Sequence, residues 1–328
     1  MSQAVSRREA LVRIGKAAGV LAAGGAVARL TFDRGGIDVE RQSGERIVRD
    51  FGVRPDGERA QMAIARSADG RASPEALTRA AVAAMGGMRR FVSRGDVVVI
   101  KPNIGWDRVP LQAANTNPEV VATIVELCQD AGAKRVVVTD ASCNDPSRCF
   151  QRSGIWRAAH AKGADVVLPA DRKFRRMRLR GDLLDDWPVY TALVEADKVI
   201  NVPIAKHHNL AGFTAAMKNW YGCLGGRRNQ LHQSIDLSIA DLATFMRPTL
   251  TVVDAYRVLL RNGPQGGNLD DTARRNTVIA SIDQVAIDAF SATLIGRDPE
   301  TLPYLKMGKE RGLGTTDWQS LRVREVAV

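Results

Sequence analysis

Cysteine and histidine are scarce in this sequence, with four of each in 328 residues. The cysteines, Cys128, Cys143, Cys149 and Cys223, form no Cys-x-x-Cys pair, so the chain carries neither a zinc ribbon nor an iron–sulfur motif of its own. Gly-x-Ser-x-Gly and His-Glu-x-x-His are both missing, which leaves a serine hydrolase or a zincin without support. The Walker A loop and the Gly-x-Gly-x-x-Gly dinucleotide fingerprint are also absent. Aromatic residues make up only 5%. Although the formal net charge is +11, the arginines are scattered and not interleaved with aromatics, so nucleic acid is not the expected partner. The densest basic run, Arg172 to Arg180, reads as an exposed segment. A positive balance suits anionic substrates or cofactors equally well.

No apolar run is long enough for a permanent membrane span. The N-terminal one, Ala17 to Ala28, is short and weakly hydrophobic, follows Arg7-Arg8, and ends in Ala26-Val27-Ala28. Paired arginines before such a stretch predict a twin-arginine export signal over residues 1–28, recognised by the twin-arginine machinery. A linker or N-terminal arm would cover 29–59 and the folded domain 60–328, in a periplasmic or other extracytoplasmic location. In an oxidising compartment Cys143 and Cys149, which flank a loop, are candidates for a disulfide, whereas Cys128 sits in a helical pattern and reads as buried.

The rest of the chain alternates between short β-branched runs and helical periodicity. Met62–Ala65 reads as an edge strand, with further strands at Val97–Ile100, Val136–Thr139, Val166–Leu168, Val199–Ile204, Leu250–Val253 and Thr277–Ile282. Helical patterns fall at Pro74–Met88, Asn117–Ala131, Gly154–Lys162, Leu210–Tyr221, Leu231–Phe245, Gln284–Ile295 and Leu302–Arg311. This alternation predicts an α/β fold with a largely parallel sheet and helical crossovers. Five strands end in a charged residue: Lys101, Asp140, Lys206, Asp254 and Asp283. In a parallel sheet these ends share one edge, where open α/β folds place their ligands.

Two of the four histidines, His207 and His208, stand side by side at the end of the central strand. Neighbours on an extended chain point in opposite directions, so one of them faces the site. Imidazole with carboxylate suits a divalent metal, which gives His208, Asp254 and Asp283 as a candidate metal set. Asp288 is a further carboxylate within reach of such a site, and His232 could fold back as a ligand or acid/base group. The alternative is anion binding: Lys101, Lys206 and Lys218 are flexible point charges suited to phosphate or carboxylate. The glycine-rich Gly222–Arg228 stretch offers nonspecific phosphate contacts, and Asn262–Gly267 is a second flexible loop.

Taken together, these pieces resemble the DUF362 family. The resemblance rests on Lys101-Pro102-Asn103, Thr116-Asn117-Pro118-Glu119-Val120, Ala131-Gly132-Ala133 and Ile200-Asn201-Val202-Pro203 with Lys206 and His208. It continues through Met217-Lys218-Asn219, Tyr221-Gly222, Leu250–Asp254, Asn262-Gly263-Pro264 and Asp283–Ala289. It spans roughly residues 60–297 and implies a family of uncharacterised function, many of whose members look like fusions to ferredoxin-type iron–sulfur modules. Any redox role here would therefore need a separate ferredoxin-like partner.

The expected site comprises His208 as general base or metal ligand and Lys206 and Lys218 as stabilisers of negative charge. Lys101, Asn103, Asn117, Asn219 and Asp140 are the expected ligand-binding residues around a small anionic ligand. The alternative is a non-catalytic cofactor-delivery or maturation protein for an exported redox enzyme.

Overall fold

A computed structural model describes residues 48–328; the expected export signal, and the N-terminal arm up to residue 47, lie outside the described residues. In chain order the elements are β1 (Met62–Arg66), α1 (Pro74–Ala84), β2 (Val97–Pro102), α2 (Pro118–Asp130), β3 (Arg135–Val138), α3 (Pro146–Arg152), α4 (Ile155–Ala161) and β4 (Asp165–Val166). They continue with β5 (Phe174–Arg178), β6 (Asp186–Tyr190), α5 (Thr191–Val194), β7 (Lys198–Val202), β8 (Ile204–His208), β9 (Gly212–Thr214) and α6 (Ala216–Asn219). The last are α7 (Ile235–Phe245), β10 (Leu250–Leu259), β11 (Thr272–Ser281), α8 (Gln284–Thr293), α9 (Pro303–Glu310) and β12 (Val323–Ala327).

The main sheet runs in the order β12-β1-β11-β10-β7-β2-β3-β4, and β8 pairs with β10 and β9 beside that path. Neighbours from β10 to β4 are parallel, as expected for strands joined by helical crossovers. Alternate residues serve two cores. Val98, Ile100, Val136, Val138, Ile200 and Val202 face one cluster, with apolar residues of α1, α2 and α4. Val99, Val137, Val199 and Val253 face the other, with residues of α7, α8 and α9. A sheet covered on both faces needs strands that are apolar on both sides, which is why these strands read as continuous β-branched runs.

The structure departs from the sequence expectation at three points. β1 is not an edge strand, because β12 pairs with it in parallel and forms the edge. β11 runs antiparallel to β10, pairing Ser281 with Thr251, so Asp283 emerges at the opposite end of the sheet from Lys101, Asp140 and Lys206. The segment 210–221 is not one helix. β8 continues through His207 and His208 and turns into β9, pairing His208 with Gly212, and only the four-residue α6 is helical before a 3-10 turn. The apolar spacing there serves a hairpin and a turn that pack on the same core.

The break between β7 and β8 makes the site possible. β7 pairs with β2 up to Val202, opposite Pro102. Pro203 then interrupts the strand, its carbonyl accepting from Asp254 N at 2.9 Å, and β8 leaves β2 to pair with β10. Proline has no N–H to continue a ladder. β2 and β8 thus diverge, and a cavity opens between their C-terminal segments.

Candidate functional site

The cavity has a volume of about 400 Å³ and is reached by residues following β2, β3 and α6 and by β8 itself. Of the expected site residues, Asn103, Asp140, Lys206, His208, Lys218 and Asn219 all line it. Beneath them Lys101, fully buried, pairs with Asp140 at 2.7 Å, while the second Asp140 oxygen accepts from Ile104 N at 2.7 Å. Gly222 lies directly on this ion pair, and a Cβ there would collide with Asp140 Oδ1 and Lys101 Nζ. The glycine is required by that close approach.

A directed amide chain fixes the lysine end of the cavity. Lys206 Nζ donates to Asn103 Oδ1 at 3.1 Å and to the Ala114 carbonyl at 2.5 Å. Asn103 Nδ2 donates to Asn219 Oδ1 at 3.1 Å, Asn219 Nδ2 to Asn201 Oδ1 at 2.8 Å, and Asn201 Nδ2 to the Ala216 carbonyl at 2.9 Å. Each amide is oriented by its neighbours, so the network holds one arrangement. Asp288, fully buried, accepts from the backbone N–H groups of Ala216 and Met217 at 2.6 and 2.9 Å. It thereby anchors the short helix that carries Lys218 and Asn219.

Burial dominates the electrostatics. It pushes the Lys206 ammonium down to about 7 and Lys218 down to about 8. Lys218 Nζ lies 4.0 Å from the centre of the Tyr221 ring, a cation–π contact, and has no carboxylate within ion-pair distance among the described residues. Arg228 donates to three carbonyls, those of Ala141 (2.7 Å), Tyr221 (3.1 Å) and Ser142 (2.6 Å). Three cationic side chains, Lys206, Lys218 and Arg228, thus meet one carboxylate at the cavity wall, Asp140, which is already paired to Lys101.

The histidines separate as strand geometry requires. His208 lines the cavity, whereas His207 Nδ1 accepts from Gly263 N at 3.1 Å and holds the Asn262–Gly267 loop, whose Pro264 reaches the cavity wall. His208 Nδ1 accepts from Leu210 N and Ala211 N, both at 3.2 Å, which places its proton on Nε2. Burial, reinforced by the cationic Lys218 and Lys206, drives its pKa down to about 2. His208 is therefore held neutral, with its Nε2–H free to act as a donor toward the cavity. His232 stacks on it, with ring centres 6.0 Å apart and planes 12° apart. Its Nδ1 faces the Asn229 carbonyl at 3.1 Å, which places the proton on Nδ1 and leaves a lone pair on Nε2.

Other expected residues lie elsewhere. Asn117 is the N-cap of α2, its side chain accepting from Glu119 N at 2.9 Å. The neighbouring Thr116 positions the site instead, accepting from Asn103 N and donating to the Val202 carbonyl. Asp254 is buried, accepts from the backbone N–H groups of Asn117 and Tyr256, and has its pKa raised to about 6 by burial. Asp283 caps α8, accepting from Val285 N and Ala286 N, and also from Thr315 N. The candidate metal set of His208, Asp254 and Asp283 is therefore not brought together. No cluster of three or more His, Cys, Asp or Glu suited to a metal occurs among the described residues. Cys143 and Cys149, the candidate disulfide pair, are free thiols. Cys143 and Trp106 reach the cavity wall without having been anticipated there, because nothing in their spacing marks them.

No helix among the described residues is long and apolar enough to cross a membrane. The chain is 27% identical over 242 residues to a thylakoid-associated protein of Synechocystis sp., covering 71% of this chain and 73% of that protein. A distant likeness joins it to the lactate racemase apoprotein from Thermoanaerobacterium thermosaccharolyticum, with a TM-score of 0.38 and 14% identity. That match covers 71% of this chain and 56% of the length of the other. Residues 98–293, which include the whole cavity wall, match the domain of unknown function DUF362, and the chain belongs to that family.

Proposed function

We propose that the cavity binds a small anionic ligand carrying a carboxylate or phosphate, with Lys206, Lys218 and Arg228 as its counter-charges. The observation that carries this reading is the imbalance at the wall: three cations against a single carboxylate that Lys101 already neutralises. A buried ammonium without a counter-ion is costly, and an anion relieves that cost. In a catalytic version the lysines stabilise developing negative charge, His208 Nε2–H donates a hydrogen bond, and His232 Nε2 accepts a proton. The redox version requires a separate ferredoxin-type carrier, since Cys128, Cys149 and Cys223 are buried singly and the chain has no cluster motif. Export by the twin-arginine route rests on the sequence of residues 1–28 and is tested by fractionation of cells carrying Arg7→Lys/Arg8→Lys.

The binding reading is tested by thermal shift with phosphate, oxalate and related anions against neutral analogues of similar size. Stabilisation by anions alone, lost in Lys218→Met, is the expected result. Equal response to charged and neutral compounds, or to none, contradicts it.

A further inference from the structure

Cys143 is the one exposed cysteine of the four, and it stands at the cavity wall. The loop that presents it is tied down throughout its length. Ala141 N donates to the Gly222 carbonyl at 3.0 Å, and Ser142 Oγ donates to the Ile104 carbonyl at 2.5 Å. Cys143 N and Asn144 N both donate to the Gly105 carbonyl, at 2.9 and 3.1 Å. The Arg228 guanidinium closes the loop from the other side through the Ala141 and Ser142 carbonyls. None of these bonds involves the sulfur, so the frame fixes the thiol's position without using it.

The second observation is Lys218, only 8% exposed, lining the same cavity with its ammonium over the Tyr221 ring and no carboxylate partner among the described residues. Lys206 lines that cavity too, so two lysines and the Cys143 thiol share one wall. Lys206, Lys218 and Arg228 line the same wall as the thiol, and an electropositive, solvent-reached cavity is the setting in which nucleophilic cysteines occur.

We propose that Cys143 is the nucleophile of this site and attacks carbon electrophiles that carry a carboxylate. The lysines hold the carboxylate while the thiolate electron pair forms the sulfur–carbon bond. The bond from that carbon to the leaving group breaks, and its electron pair departs with that group. The inference rests on the anion-site reading above and adds the reacting atom and the substrate class.

The test compares alkylation of the full-length protein by iodoacetate and iodoacetamide, read at Cys143 by peptide mass spectrometry. Both reagents form a thioether and release iodide, and they differ in carrying a carboxylate or a neutral amide. The expected ratio of rates, iodoacetate over iodoacetamide, is about tenfold above that of 2-mercaptoethanol, with Cys128, Cys149 and Cys223 unlabelled. The ratio should fall to the free-thiol value in Lys218→Met. Should that variant fail to fold, inorganic phosphate added to the unaltered protein should slow iodoacetate more than iodoacetamide. A native ratio equal to that of the free thiol overturns the proposal. If anions still stabilise the protein in the thermal-shift assay, the binding site survives and only the nucleophile is lost; failure of both assays overturns the shared premise.

Discussion

Lys206 donates to the side-chain oxygen of Asn103 at 3.1 Å, joining β8 to the segment after β2 across the point where the two strands part. The hydrogen bond orients the amide chain through Asn219 and Asn201, so cavity geometry and sheet geometry are one structure. Asn103→Leu leaves the Lys206 ammonium with one acceptor fewer and Asn219 Oδ1 without its donor. A loss of about 1–3 kcal/mol in urea unfolding is expected, because buried polar groups left unsatisfied cost that much. A change below about 0.5 kcal/mol, the range of ordinary surface substitutions, contradicts the structural role given to this amide.

The Lys101–Asp140 pair supports the cavity from beneath. Lys101→Met strands a buried carboxylate and should cost about 3–5 kcal/mol, whereas adding Asp140→Asn to it should recover part of that loss. Chemical denaturation of the single and double variants checks this, and additive losses contradict it.

Histidine tautomers are directly observable. Nitrogen–proton correlation spectra should show His208 protonated on Nε2 and neutral throughout the mild acid range, and His232 protonated on Nδ1. A His208 that titrates near the ordinary value of about 6.5 contradicts the assignment of a donor role.

The buried ammonium of Lys218 makes the free protein's stability depend on pH. Its folded pKa, about 8, lies below the ordinary 10.5, so the unfolded chain binds more protons between those values. Stability therefore rises as pH climbs through that window, and the cost of burial is complete below it. Lys218→Met should stabilise the free protein by about 1–3 kcal/mol near pH 6 and by less near pH 10. Thermal melts at the two pH values check the sign; a larger gain at high pH contradicts it.

Much of this site was legible in the sequence, and the misses have definite physical causes. Lys101, Asp140, Lys206 and His208 come to one region because strand ends on a parallel sheet share an edge, and the side-chain period of two separates His207 from His208. Asp283 was misplaced because a strand's direction is not written in its own residues: β11 reads like its neighbours yet runs antiparallel. Asn117 and Asp254 read as ligand-binding and metal-binding groups, but their side chains serve backbone N–H groups, and a cap and a ligand use the same residue types. Residues 210–221 read as a helix because apolar spacing in a short hairpin and turn mimics a period of 3.6. Cys143 and Trp106 join the site through tertiary packing of loops, which leaves no local pattern.

Whether charged lysines bind an anion in the cavity is read out by proton-linked calorimetry. Lys206 at about 7 and Lys218 at about 8 are partly deprotonated in the free protein near neutral pH, and a bound anion raises both. Titration of oxalate or phosphate near pH 7.5, in two buffers of different ionisation enthalpy, should therefore show protein proton uptake, with affinity highest below about pH 7 and falling as pH rises past about 8. Proton uptake that disappears in Lys218→Met together with most of the affinity is the predicted result. Binding without proton exchange, or affinity that grows with pH, would contradict the account.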